Sequence, residues 1–90
     1  MKITWDIVKA ARNLKKHGIS FDEAATVFYD PLSLTEPDHD HSIGEDRFIT
    51  LGLSSNARLL FVAHCDDNET IRIISAREAI KSERILYEQA

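Results

Sequence analysis

The chain has one cysteine, Cys65, two prolines and three glycines among its 90 residues. A lone cysteine can form no intramolecular disulfide and supplies neither a CxxC redox pair nor a cysteine cluster. Long apolar runs are missing as well. Nothing approaches the roughly 18 residues of a membrane span, and the N-terminus MKITWDIVKAARN has no apolar signal-peptide core. These absences predict a soluble, cytoplasmic protein without membrane contact. No repeat, linker or low-complexity tract is present, so residues 1–90 are expected to form one domain around one core. G-x-x-x-x-G-K-[ST], G-x-S-x-G and H-E-x-x-H are also absent. P-loop NTP hydrolysis, serine hydrolysis and zincin chemistry lose their support accordingly.

What is present is charge, unevenly placed. The total is -4, which argues against indiscriminate nucleic-acid binding. Residues 1–17 nevertheless hold Lys2, Lys9, Arg12, Lys15 and Lys16 against one acid, Asp6. Residues 22–46 hold eight acids and no lysine or arginine. Such asymmetry can build one surface for phosphates and another for a basic partner.

Local patterns predict the order β-α-α-β-β-β-β-α. KITW reads as a strand, and Asp6 as the N-cap of a helix from Ile7 to His17 that Gly18 ends. On that helix Ile7, Ala11 and Leu14, widened by Val8 and Ala10, make an apolar stripe; Lys9, Arg12 and Lys16 make a basic one. Ser20 and Glu23 match the S-x-x-E capping box of a second helix, whose Phe21, Ala24, Ala25 and Phe28 should pack on a sheet until Asp30-Pro31 stops it. LSLTEP, DRFITLGLS, RLLFVAHC and ETIRIIS read as strands of an antiparallel meander, RLLFVAHC being central. A last helix is expected from about Ala76 to Tyr87. The fold class is α+β, with a mostly antiparallel sheet packed by helices.

The residues suit metal-free RNA cleavage better than other chemistries. Attack of a ribose 2′-hydroxyl on the neighbouring phosphate needs a proton acceptor, a proton donor and fixed cations. Arg47, Arg72 and Arg77 fall at strand edges or the strand-to-helix junction, and arginine binds phosphate oxygens in pairs. His17, His64, Glu45 and Tyr87 are the available proton carriers. His64 lies in the most apolar strand and reads as a hydrogen-bonded core residue. The string DHDH, Asp38 to His41, offers at most two close imidazoles and reads as an acidic loop rather than a metal site.

The segments W-D-x-x-K-A-x-x-N-x-x-K-H-G-x-S-F-x-E-A (Trp5 to Ala24), V-F-x-D-P (Val27 to Pro31), H-S-x-x-E-x-R (His41 to Arg47), L-G-x-S (Leu51 to Ser54), I-R-I-I-S-A-R (Ile71 to Arg77) and E-R-x-x-Y (Glu83 to Tyr87) run in order over nearly the whole chain. In them the sequence resembles the BrnT toxin family, departing from it at Ala57, where a turn glycine is usual. The resemblance implies a RelE-like ribonuclease fold and a toxin of a type II toxin-antitoxin pair that arrests growth by cutting RNA without cofactor or metal. It also implies a BrnA-like ribbon-helix-helix antitoxin in a 2:2 complex that reaches operator DNA only through the antitoxin. The expected catalytic set is His17, Glu45, Arg47, Arg72, Arg77 and Tyr87; the expected RNA-binding set is Lys9, Arg12, Lys16, Lys81 and Arg84. The alternative is a catalytically weak toxin-fold module acting as an antitoxin-bound corepressor.

Overall fold

The computed structural model describes residues 1–41 and 44–89. Ser42, in the motif from His41 to Arg47, lies outside the described residues. The elements are β1 (Lys2–Trp5), α1 (Ile7–His17), α2 (Phe21–Ala25), β2 (Leu34–Pro37), β3 (Arg47–Leu53), β4 (Leu59–Asp67), β5 (Thr70–Glu78) and α3 (Lys81–Gln89). The expected order is therefore found. The sheet runs β1-β5-β4-β3-β2, antiparallel except where β1 pairs with β5, and β4 is its central strand.

Helix ends follow local chemistry. The Asp6 carboxylate accepts from Val8 N at 2.8 Å and Lys9 N at 3.1 Å, and these bonds hold its pKa below the usual value. Gly18 closes α1 at φ 72°, a conformation that costs glycine nothing. Ser20 Oγ accepts from Glu23 N at 3.0 Å. The second half of the expected capping box does not form, because the Glu23 carboxylate is buried and spent elsewhere. It accepts from Ser54 Oγ at 2.7 Å and from two guanidinium nitrogens of Arg58. The reciprocal bond occurs instead on α3, where Glu83 Oε1 accepts from Ile80 N at 2.9 Å.

One further expectation is corrected. β5 continues to Glu78 and α3 starts at Lys81, so Ala76 and Arg77 belong to a strand. Ala76 N pairs with the Asn13 side chain and Ala79 N with Leu59 O, which keeps this segment extended. The α1 stripe is largely exposed, Ile7 at 82 %, Val8 at 58 % and Leu14 at 52 %, while Ala10 packs against the core. α1 is held mainly through Asn13, which is buried and treats the β5 edge as a strand would. Its Nδ2 donates to Ala76 O at 2.8 Å and to Ile19 O at 3.0 Å, while its Oδ1 accepts from Ala76 N at 3.0 Å.

The core lies on one side of the sheet. Ile19, Phe21, Ala24 and Val27 from the α2 region pack on Leu60, Val62, Ile73 and Ala76, with Trp5 edge-on to Phe21. Gly52 permits the close approach here, since a Cβ would meet Val27 at 3.1 Å. His64 is the core histidine expected: Nε2 lies 2.7 Å from Thr50 Oγ1, Nδ1 2.6 Å from Asp66 Oδ1, and burial lowers its pKa against the pull of Asp66. Ala57 adopts φ 60°, which explains why a glycine is favoured at this turn.

Between Ala63 and His64 the β4–β5 register shifts: Ala63 pairs with Ser75 and His64 with Ile73, leaving Ile74 as an extra residue. This bulge reverses the phase of alternation along β5. Ile71, Ile73 and Ala76 face the core side, and Arg72, Ser75 and Arg77 all face the other.

The Glu23–Arg58 pair makes stability depend on pH. Arg58 lowers the Glu23 carboxyl from 4.5 to about 2. A depressed carboxyl stabilises the fold above its unfolded value and loses that contribution as the pH falls through the folded one. With screening at the partly exposed arginine, it is worth roughly 2–3 kcal/mol at neutral pH. Glu23→Gln should therefore be less stable than the parent at pH 7, with the difference shrinking between pH 4.5 and 2 in urea unfolding curves.

Candidate active site on the open face of the sheet

The bulge and the strand register together arrange the sheet face opposite the core in three rows. Arg47, Cys65 and Arg72 pair across β3, β4 and β5 at one end. Ile49, Ala63 and Ser75 cross the middle, and Leu51, Phe61 and Arg77 the other end. Two strand spacings put the Arg47 and Arg72 backbones about 10 Å apart, with Cys65 between them. The middle row, with Ala63 and Ser75 on β4 and β5, thus lies between rows that carry arginines at both ends.

Each arginine is oriented by a carboxylate. Arg72 Nη2 donates to Glu45 Oε1 at 2.6 Å. That bond, first, then the Cys65 thiol and the fields of Arg72 and Lys9 hold the Glu45 carboxyl below its usual pKa, so it is an acceptor at neutral pH. Arg47 Nε lies 3.7 Å from Asp38 Oδ2. Arg77 makes a two-point pair with Glu83, Nη1 to Oε1 at 2.9 Å and Nη2 to Oε2 at 2.8 Å, and its guanidinium sits 4.0 Å over the Phe61 ring. Burial pushes the Cys65 thiol up, and Glu45 adds to the effect, so this cysteine stays a neutral thiol.

α1 continues this face sideways. β1 pairs with β5 only to Ile73, and beyond it α1 lines the β5 edge. Lys9, Arg12, Lys16 and His17 share a hollow of about 290 Å³ with Ile74 and Ser75. Lys9 also acts on Glu45, so the basic stripe adjoins the arginine face. The structure thus places Arg47, Arg72 and Arg77 on one face, with Glu45 on Arg72, and Lys9, Arg12, Lys16 and His17 along the edge of that face at Ser75.

Tyr87 is not in that group. Its hydroxyl donates to Asp30 Oδ2 at 2.6 Å, and the same oxygen accepts from Leu53 N at 2.8 Å. Leu53 ends β3, roughly 20 Å along the strand from Arg47. Asp30 pushes the Tyr87 phenol up to about 12. Tyr87 fastens α3 to the loop after the second helix, its hydroxyl held by Asp30, one helical turn from the Glu83 that binds Arg77 and far from Arg47. Lys81 and Arg84 are exposed on α3, next to Glu83 in sequence. His39 and His41 sit on a single 3-10 turn, His41 Nδ1 bonded to Asp38 at 3.0 Å, and among the described residues no group of three or more metal-type side chains converges.

Sequence reasoning missed Ser75, Phe61 and Glu83 as site residues, although Ser75 and Glu83 lie inside two of the motifs. A signal existed in the apolar phase of β5, where core residues at 71 and 73 are followed by one at 76.

The chain is similar to known proteins in family and in fold. The family model described as "Ribonuclease toxin, BrnT, of type II toxin-antitoxin system" matches residues 5–83. The crystal structure of the Brucella abortus ribonuclease toxin, BrnT, is similar to this chain with a TM-score of 0.69 and 24% identity, over 90% of this chain and 99% of that one. No curated protein matches the sequence. Among the described residues no helix is long and apolar enough to cross a membrane.

The assignment of Tyr87 as a clasp can be checked by alkaline titration. In a Tyr29→Phe variant, which leaves Tyr87 as the sole tyrosine, phenolate absorbance should appear only near pH 12 or on unfolding; ionisation near pH 10 in the folded protein would remove the Asp30 bond.

Proposed function

Because the chain belongs to the BrnT family of ribonuclease toxins of type II toxin-antitoxin systems, we propose that the open sheet face is its active site and that it cleaves RNA without a metal. The observation that carries this reading is the gathering of Arg72, Arg77 and Arg47 on one face with Glu45 beside Arg72 and His17 across Ser75. RNA phosphate lies over Ala63 and Ser75 between the arginines. The 2′-oxygen attacks phosphorus and gives its proton to Glu45; the bond to the 5′-oxygen breaks, and that oxygen takes a proton from His17. The products are a 2′,3′-cyclic phosphate and a 5′-hydroxyl. Arginines at fixed positions stabilise the extra negative charge at phosphorus. Lys9, Arg12 and Lys16 hold flanking phosphates, with a salt-dependent contribution to affinity.

The partner in this reading is a BrnA-like ribbon-helix-helix antitoxin, assembled 2:2, and operator DNA is reached only through it. The exposed apolar stripe Ile7, Val8 and Leu14 supports a protein partner. A second reading, an antitoxin-bound corepressor of little catalytic power, draws on one observation: Arg47, Arg72 and Arg77 each already face a carboxylate.

One experiment separates the two. Purified protein with excess chelator should shorten RNA to fragments with cyclic phosphate ends, and its induction alone should stop growth. Arg72→Ala should slow cleavage about 100-fold and relieve the arrest, with the melting temperature little changed because its ion pair is exposed. Intact RNA at high protein concentration, with tight antitoxin binding, favours the corepressor.

A further inference from the structure

Beside the arginines, between β2, β3, β4 and α3, is a more enclosed pocket of about 230 Å³ lined by Leu34, Ile49, Leu51, Phe61 and Leu86, with Glu36 and Glu83 as its acids. It shares Phe61 and Glu83 with the Arg77 corner, so it opens directly off the place assigned to phosphate. Its walls are apolar and of mixed aliphatic and aromatic character, as suits a heterocycle stripped of water. The two carboxylates are not equivalent. Both Glu83 oxygens are occupied, by Arg77 and by Ile80 N. The Glu36 carboxylate accepts no hydrogen bond from any described residue.

We propose that this pocket is a nucleobase subsite and that Glu36 makes it selective for guanine. An ionised carboxylate only accepts, through two oxygens set side by side. Guanine is the RNA base whose pairing edge carries two adjacent donors, N1–H and the 2-amino group, and it meets a carboxylate as a two-point fork. Adenine and cytosine offer one amino group beside an acceptor that the carboxylate repels, and uracil one N–H between two carbonyls. Single-stranded RNA is commonly read in this manner, with a splayed base held by an apolar pocket and its pairing edge by side chains. Continuity with the arginines fixes the occupant as the base next to the bound phosphate. The inference rests on the arginine face being the RNA site, and it names which nucleotide that site prefers.

The test reads binding and cleavage separately. Guanosine, adenosine, cytidine and uridine 3′-monophosphates are titrated into the protein while the methyl signals of Leu34, Ile49, Leu51 and Leu86 are followed by NMR. The guanine nucleotide should shift these methyls and bind at least tenfold more tightly than the others. Inosine 3′-monophosphate, which lacks the 2-amino group, should fall between. Glu36→Gln should erase the preference, and since Glu36 is exposed on an edge strand, an unchanged amide spectrum elsewhere will show that the variant is folded. Equal affinity for the four nucleotides, no movement of these methyls, or a preference that survives Glu36→Gln overturns the subsite. Cleavage of a random RNA pool by the same samples is scored independently: guanine selectivity without cleavage would overturn the catalytic reading alone, and cleavage without guanine enrichment would overturn the subsite alone.

Discussion

One extra residue in β5 decides which side of the sheet the arginines occupy. Arg72 and Arg77 are five positions apart, and strict alternation would send them to opposite faces. The core demands Ile71, Ile73 and Ala76 on the same side, and the only way to satisfy that is a phase break at Ile74 and Ser75. The same break therefore buries Ala76 against α2 and turns Arg77 outward beside Phe61. Core packing and the cationic face are two consequences of a single bulge.

The second constraint is the amount of apolar material. A 90-residue chain can cover one face of a five-stranded sheet, and here it does so with one compact cluster built from the α2 region. Little remains for the opposite face. α3 covers only part of it, tied at its start by Glu83 to Arg77 and towards its end by Tyr87 to Asp30. The uncovered remainder carries the arginines and Glu45, and Asn13 brings the basic side of α1 up to its edge. An acidic chain thereby presents a local basic surface, because cations from β3, β5 and α1 converge while many of the acids lie in the loops before β3.

Much of the fold was legible because it depends on near neighbours in sequence. Asp6, Gly18 and Ser20 cap or stop helices with bonds that span two to four residues, and the strand patterns placed β4 at the centre. What sequence pattern could not supply were contacts between distant segments. Glu23 looked like a capping residue and proved to be the buried partner of Arg58, 35 positions on. Asn13, to which no local pattern gave a role, binds Ala76 across 63 positions. Most of the α1 stripe is exposed because α1 meets the β5 edge and not a face, which no helical period could show. At the site, family motifs pointed to Arg72 and Arg77, yet only the register showed Ser75 and Ala63 as the floor between them, and only the fold showed the Tyr87 hydroxyl bonded to Asp30.

The central claim is that RNA meets the face opposite the core. It is tested most directly by NMR of the protein with an RNA made uncleavable by 2′-deoxy substitution. The account predicts that the side-chain signals of Arg47, Arg72 and Arg77 and the Ser75 amide shift on binding, while His64 and Phe28 on the core side do not. Shifts confined to the core side of the sheet or to the acidic loops, with the three arginines unmoved, would contradict it.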